Sequence, residues 1–79
     1  MIKVLYFARI AELTGTRQEQ IPLPASHTST AFLALLRERH PALADVKNLK
    51  MAINQDHAAV NATLRAGDEV ALFEPVTGG

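Results

Sequence analysis

The sequence predicts a small α+β fold in which one main helix covers a mixed sheet. The chain has 79 residues, of which 48% are apolar, and this length leaves room for one hydrophobic core. Apolar residues alternate with other residues near both ends of the chain, which is the strand period. Between these segments lies a stretch with helical spacing of its apolar residues. Strands at both ends with one helix between them favour a two-layer α+β domain.

The N-terminal segment is predicted to form a strand, a short helical turn and a second strand. Residues 1–8 alternate with apolar side chains on both faces, which favours an interior strand. Residues 9–14 have helical spacing, and Gly15 follows where a left-handed residue ends a helix. Residues 17–23 alternate weakly, and their prolines place this strand at an edge of the sheet.

The main helix is predicted over residues 28–40. Thr28 is the expected N-cap, with Ser26 as the alternative, and Pro41 ends the helix. One stripe of the helix carries the apolar side chains expected in the core: Phe32, Leu35 and Leu36. The prediction is therefore that this stripe faces the sheet.

The C-terminal half is predicted to contain three further strands and two turns. In chain order these are a strand at 49–54, a turn at 54–56, a short strand at 58–60, a turn at 64–68 and a strand at 69–73. Without the short strand, the elements form a ββαββ arrangement of the β-grasp type. The globular domain is expected to span residues 1–74. Residues 75–79 form a tail, because Pro75 cannot continue the hydrogen-bonding ladder.

Composition excludes several classes of function. The chain has no cysteine, so disulfides, thiolate zinc sites and a cysteine nucleophile are absent. Eight basic residues balance eight acidic ones, which argues against a nucleic acid partner. The longest apolar stretch, residues 31–36, is too short to cross a membrane, and the first residues do not resemble a signal peptide. A soluble protein of the cytoplasm is the expectation.

The predicted globular domain has no recognisable catalytic or metal-binding motif. Three histidines lie far apart in the sequence and are expected to be ordinary surface or capping residues: His27, His40 and His57. Asp68 and Glu69 are adjacent, so a strand would place them on opposite faces, and a turn role is favoured. The basic cluster at residues 37–40 is expected to be the solvated end of the helix.

The chain ends in two glycines, Gly78 and Gly79. A terminal pair without side chains can enter a narrow channel and adopt backbone angles that other residues avoid. Its α-carboxylate is a poor electrophile, but ATP can activate it as an acyl-adenylate that a sulfur nucleophile then attacks. Two interpretations stay open from these residues alone, a frayed terminus or a carrier whose chemistry lies at its own C-terminus.

Three segments of the chain resemble the small subunits of molybdopterin synthase. Residues 4–15 resemble the first strand and following turn of that family, and residues 52–55 resemble its middle strand. Residues 64–79 resemble its last strand and tail almost residue for residue. The resemblance covers essentially the whole chain. It departs from the family at Glu74, where a proline is common, and at Asn61, where an acidic residue is common.

This resemblance implies a ubiquitin-like β-grasp fold and a sulfur-carrier function. An adenylyltransferase related to ubiquitin-activating enzymes would use ATP-Mg to adenylate the C-terminal glycine, and a sulfur donor protein would supply sulfur to form a thiocarboxylate. The tail would enter the large synthase subunit and give sulfur to a cyclic pyranopterin monophosphate, building the dithiolene that binds the metal. The synthase would contain two small and two large subunits, with the catalytic residues on the large one. The small chain itself would bind no cofactor and no metal.

The resemblance also assigns roles to individual residues. Gly79 would carry the adenylate and then the sulfur. The other expected site residues are the tail-access residues Gly78 and Thr77, and the partner-docking residues Phe73, Pro75 and Val76. Phe73 is expected in an exposed apolar patch, the alternative being that it closes one edge of the core. A thiamine-pathway sulfur carrier and a ubiquitin-like protein modifier are the alternative functions.

Overall fold

The computed structural model describes residues 1–25, 27–57 and 61–75. The described elements, in chain order, are β1 (Ile2–Tyr6), α1 (Arg9–Thr14), β2 (Gln18–Ile21), α2 (Ser29–Arg39), a 3₁₀ helix (Pro41–Asp45), β3 (Lys50–Ile53), β4 (Asp56–His57) and β5 (Glu69–Phe73). The strands of this part of the chain form one sheet in the order β2-β1-β5-β3-β4. Only β1 and β5 pair in parallel, and the other neighbours are antiparallel. The predicted α+β class and strand–helix order are confirmed.

The first strand, β1, lies inside the sheet, as its apolar pattern predicts. It pairs with β2 on one side and with β5 on the other. Ile2, Val4 and Tyr6 are buried against the core, whereas the alternate side chain Leu5 is half-buried on the opposite face. The side of the sheet that carries Ile2 and Val4 is called here the covered face, and the other side the open face.

A tight turn connects β1 to α1. The N–H of Ile10 donates to the carbonyl of Phe7 at 3.0 Å, and Ala8 has φ 50° and ψ −126°. These values are those of the first central residue of a type II′ turn, a position that favours glycine. The helix α1 ends at Gly15, whose φ of 79° is left-handed, as predicted.

The second strand, β2, is an edge strand, as its prolines predict. It is shorter than the predicted segment 17–23 and pairs only with β1 among the described residues. Its register places Glu19 beside Val4 and Ile21 beside Ile2. Glu19 therefore lies on the covered face, where a charged side chain needs a partner.

The main helix, α2, has the predicted caps. The Oγ1 of Thr28 accepts from the N–H of Ala31 at 3.2 Å, and the N–H of His40 donates to the carbonyl of Leu36 at 2.8 Å. Ser26, the alternative N-cap, lies outside the described residues. Phe32 and Leu36 are fully buried, but Leu35 is only half-buried at the margin of the core.

The segment after α2 is more ordered than the predicted loop at residues 41–48. Pro41 ends α2 and at the same time begins the 3₁₀ helix, since its missing N–H is not needed in a first turn. Leu43 and Val46 from this segment are buried in the core. The sequence expectation missed them because two isolated apolar residues do not form a periodic pattern.

The hairpin of β3 and β4 turns earlier than predicted. Asn54 and Gln55 form a two-residue turn with φ values of 51° and 73°, the left-handed pair of a type I′ turn. Asp56, expected in the turn, is the first residue of β4 and pairs with Ile53. The predicted short strand at residues 58–60 lies outside the described residues.

The last strand, β5, has the predicted bounds and lies at the centre of the sheet. Val70 and Leu72 are fully buried on the covered face. The turn before it contains Gly67 at φ 91° and Asp68, whose carboxylate accepts from the N–H of Arg65 at 2.8 Å, so the predicted turn role of Asp68 is confirmed. The bond from Asn54 and that from the Arg65 backbone lower the pKa of Asp68. The central position of β5 places the start of the C-terminal segment beside the end of β1.

Candidate functional site

The candidate site begins where β5 ends. Glu74 and Pro75 are the last described residues, with Glu74 half-buried and Pro75 exposed. The remaining predicted site residues lie outside the described part of the chain: Val76, Thr77, Gly78 and Gly79. Their assigned roles stay predictions. What the structure provides is the surface from which this segment departs.

Two aromatic residues, Phe7 and Phe73, lie at the end of β5 on the open face. The parallel register pairs Tyr6 with Leu72, and the N–H of Phe7 donates to the carbonyl of Leu72 at 3.2 Å. Phe7 and Phe73 therefore occupy neighbouring positions on one face, here called the aromatic patch. Phe7 is 49% exposed, one of the two large apolar side chains reported as exposed in the described residues, and Phe73 is half-buried.

The structure differs from the docking prediction in which phenylalanine is the more exposed. Sequence analysis named Phe73 for an exposed patch, but Phe7 is the more exposed of the two. The alternation in residues 1–8 already places Phe7 opposite the buried Tyr6, which is the signal that could have identified it. Phe7 is not part of the core cluster of the described residues.

An open groove of about 760 Å³ continues from Phe7 along the end of β1 and the start of α1. Its lining combines apolar residues with charged ones at the rim, among them Leu5, Phe7, Ala11, Glu12 and Arg17. The groove is wide open and contains no converging set of catalytic groups in its described lining. The groove and the aromatic patch share Phe7.

A bidentate ion pair lies at the base of the C-terminal segment. Arg9 donates from Nε to Glu74 Oε1 at 2.9 Å and from Nη2 to Glu74 Oε2 at 2.7 Å. The hydrogen bond from Arg9 lowers the pKa of the Glu74 carboxyl, and the same bond raises the pKa of Arg9. Arg9 begins α1, so this pair joins the two ends of the described chain across 65 residues of sequence.

A second polar cluster lies on the covered face at the end of α2. The carboxylate of Glu19 accepts from the hydroxyl of Tyr6 at 2.6 Å and from Nε of Arg39 at 2.8 Å, and it contacts Nε2 of His40 at 2.5 Å. The His40 ring also packs edge-on against Tyr6, with ring centroids 5.6 Å apart. The predicted solvated basic end of the helix fits Arg39, which is 51% exposed, but not His40, which is only 17% exposed, and Glu19 binds both side chains.

The electrostatics of this cluster favour a charged glutamate and a neutral tyrosine. Burial raises the pKa of Glu19, but the bonds from Tyr6, His40 and Arg39 outweigh it and lower the pKa to about 2. Burial, together with the bond to Glu19, raises the pKa of Tyr6. The cluster clamps edge strand β2 to the end of α2. All its members are engaged with one another, so we regard it as structural.

The described residues offer neither a metal site nor a membrane span. Within residues 1–25, 27–57 and 61–75, no three histidine or acidic side chains are grouped so that they could hold a metal ion. None of the helices in the same ranges is long and apolar enough to cross a membrane.

Comparison with known proteins gives a consistent answer. The model of the ThiS family matches residues 4–79. The chain belongs to the ThiS family. It is 38% identical to the human molybdopterin synthase sulfur carrier subunit, covering 99% of this chain and 93% of the human one. It is 37% identical to the subunit of the same name from Escherichia coli, over the full length of both.

A solved structure agrees with this membership. SAMP1, the small archaeal modifier protein 1 of Haloferax volcanii, has a TM-score of 0.84 and 31% identity, covering 99% of this chain and 98% of that one. The predicted ubiquitin-like β-grasp fold and the resemblance to molybdopterin synthase small subunits are confirmed. Membership, together with the full-length relatives, supports a sulfur-carrier role in molybdenum cofactor biosynthesis.

Proposed function

We propose that this chain is the sulfur carrier of a molybdopterin synthase and that Gly79 is the residue that carries the sulfur. The observation that carries the proposal is the extent of the similarity. The family match runs to residue 79, and the sulfur carrier subunit of Escherichia coli aligns over the whole of both chains. The terminal Gly78-Gly79 pair thus lies inside the matched region.

The proposed chemistry takes place at the α-carboxylate. An oxygen of the Gly79 carboxylate attacks the α-phosphorus of ATP, pyrophosphate leaves, and an acyl-adenylate forms. A sulfur nucleophile from a donor protein then attacks the carbonyl carbon and displaces AMP. With a persulfide donor the product is an acyl disulfide, and a thiol then attacks the donor-side sulfur, forms a disulfide with the donor and releases the thiocarboxylate. Transfer of that sulfur to a cyclic pyranopterin monophosphate, with water supplying the oxygen, regenerates the carboxylate.

The aromatic patch is the proposed docking surface for the activating enzyme and the large synthase subunit. Phe7 and Phe73 lie beside the point where the C-terminal segment starts, so a partner that binds them also receives the tail. Pro75 is exposed at the same place and has no N–H to commit to the sheet. Val76 and Thr77 would continue the contact. Aromatic anchors of this kind contribute a large share of binding energy in protein interfaces.

The deciding experiment measures sulfur loading by intact mass. The protein is incubated with ATP-Mg, the activating enzyme and a sulfur donor, and a thiocarboxylate is recorded as the exchange of one oxygen for one sulfur. Deleting Gly79 moves the carboxylate by roughly 3.5 Å, and misplacement of about 1 Å can already cost about 100-fold in rate. We therefore expect no loading of the deletion variant and an unchanged melting curve. A deleted chain that still loads sulfur refutes the proposal.

The docking surface is tested with Phe7→Ala and Phe73→Ala. Each is expected to weaken binding to the large subunit, measured by calorimetry, by about tenfold or more, since interface anchors commonly contribute over 1 kcal/mol. Lys47→Ala is the matched control, because this exposed residue belongs neither to the aromatic patch nor to the groove lining. Loss of thermal stability equal to the loss of binding would instead assign Phe73 to the core.

A protein modifier is the second candidate, and the similarity to SAMP1 favours it. A modifier would form an amide bond between Gly79 and a lysine of another protein after the same adenylation. The two functions separate in one assay. A modifier produces conjugates at the summed mass of two proteins, whereas the proposed carrier yields the thiocarboxylate and supports dithiolene formation. A thiamine-pathway carrier would form the thiocarboxylate but fail with cyclic pyranopterin monophosphate and the large subunit.

A further inference from the structure

The Arg9–Glu74 ion pair occupies an unusual position for a surface salt bridge. Its two hydrogen bonds, at 2.9 and 2.7 Å, join the first residue of α1 to the residue that follows β5. The two side chains are 56% and 33% exposed. Exposed pairs of this kind contribute little to folding stability. A bidentate guanidinium–carboxylate contact nevertheless fixes orientation, because both planar groups must align.

The backbone on both sides of the pair is restricted. On the Arg9 side, the type II′ turn at Ala8 and the bond from Ile10 to Phe7 set the direction in which α1 starts. On the Glu74 side, Pro75 has a fixed φ and restricts the preceding residue to extended conformations. Two restricted segments linked by a two-point contact leave few orientations for the chain at Glu74.

We propose that Arg9 and Glu74 are positioning residues that hold the base of the C-terminal segment in one orientation relative to the aromatic patch. This inference rests on the proposed function, in which the segment must reach an active site on a partner bound at that patch. Glu74 precedes Gly79 by five residues. The direction of the chain at Glu74 is therefore where presentation of the tail to the partner begins. The pair acts on presentation of the tail and not on the chemical step.

The test uses Arg9→Gln, Glu74→Gln, the double variant and the exchanged pair Arg9→Glu/Glu74→Arg. Adenylation is followed by ATP–pyrophosphate exchange with the activating enzyme. Removal of an exposed ion pair of this kind is expected to change kcat/KM by about two- to fivefold. We expect each single variant to lower kcat/KM by about that factor, mainly because KM rises. The double variant should lose no more kcat/KM than one single variant does. The exchanged pair should recover most of the loss.

Salt gives a second readout that a merely structural role would not move. The difference in kcat/KM between wild type and Glu74→Gln should be larger at about 0.05 M salt than at about 1 M salt. At the higher concentration the screening length is only about 3 Å, so the ion pair is weakened. Arg65→Gln, at an exposed arginine in the turn before β5 and outside the groove lining, is the control, and its kcat/KM should match that of wild type at each salt concentration. The proposal is overturned if the single variants have the kcat/KM of wild type. It is also overturned if the losses add up in the double variant, or if the exchanged pair recovers no activity.

Failure of the proposed function is distinguishable from failure of this inference. If wild type itself is never adenylated, the carrier function is wrong, and the positioning claim is decided by ¹⁵N relaxation at the Glu74 amide. We expect faster local motion there in Arg9→Gln than in wild type, with the amide of Val70 unchanged as an internal control. Equal relaxation at Glu74 in both proteins would overturn the proposal without any enzyme.

Discussion

Replacing Glu19 by Gln tests the polar cluster on the covered face. The substitution keeps the size and shape of the side chain but removes the charge that three neighbours recognise. The hydroxyl of Tyr6 and the side chains of Arg39 and His40 all contact this carboxylate. The variant therefore measures how much a charged clamp between β2 and α2 stabilises the domain.

The magnitude follows from the pKa. Burial raises the pKa of Glu19, whereas its hydrogen bonds lower it, and the net change is from 4.5 to about 2. At about 1.4 kcal/mol per pKa unit this corresponds to an upper limit of about 3 kcal/mol. Because Arg39 is 51% exposed, solvent screens its share of the interaction. We expect a loss of about 1–2 kcal/mol in the free energy of unfolding at pH 7.

The pH dependence has a definite sign. A carboxyl whose pKa is lower in the folded than in the unfolded state stabilises the fold fully above the unfolded pKa. That contribution is lost as the pH falls from about 5 towards 2. The difference in stability between wild type and Glu19→Gln should therefore be largest at pH 7 and shrink through this window.

The assay is urea denaturation followed by circular dichroism at a series of pH values between 7 and 2.5. Glu38→Gln is the matched control, because Glu38 is an exposed glutamate on α2. A Glu19→Gln protein that is as stable as wild type at pH 7 would show that the cluster does not clamp the edge strand. A stability difference that does not change with pH would contradict the assignment of the effect to the charge of Glu19.

Three further predictions concern the core and the turns. Leu36→Ala, at a fully buried position of α2, should lower the free energy of unfolding by about 2–5 kcal/mol in urea titrations, and an unchanged midpoint would contradict the core assignment. Ala8→Gly should raise stability by about 1 kcal/mol, because φ 50° and ψ −126° suit glycine; a lower melting temperature would show that the turn is not type II′. Gln55→Gly should raise the free energy of unfolding by up to about 1 kcal/mol, because glycine suits the positive φ of this type I′ turn position. Slower exchange of the β3–β4 amides with solvent should accompany the rise.

The sequence by itself determined the elements that depend on neighbouring residues. The alternation in residues 1–8 predicted an interior strand, and β1 lies between β2 and β5. Thr28 and Pro41 predicted both ends of α2, because a side-chain cap and a missing N–H act within one turn. The terminal glycines and the resemblance carried by both ends of the chain indicated the family. These signals are local in sequence, so they can be read before the chain is folded.

Only the tertiary structure decided the contacts between distant residues. Glu19 meets His40 across 21 residues of sequence, and Arg9 meets Glu74 across 65. Neither partner is specified by its own neighbours, since a glutamate on an edge strand and an arginine at a helix start are ordinary surface residues. The parallel pairing of β1 with β5 brings Phe7 beside Phe73 and places the start of the C-terminal segment there. That pairing joins residues 66 positions apart in the sequence, such as Lys3 and Glu69, and no local pattern encodes it.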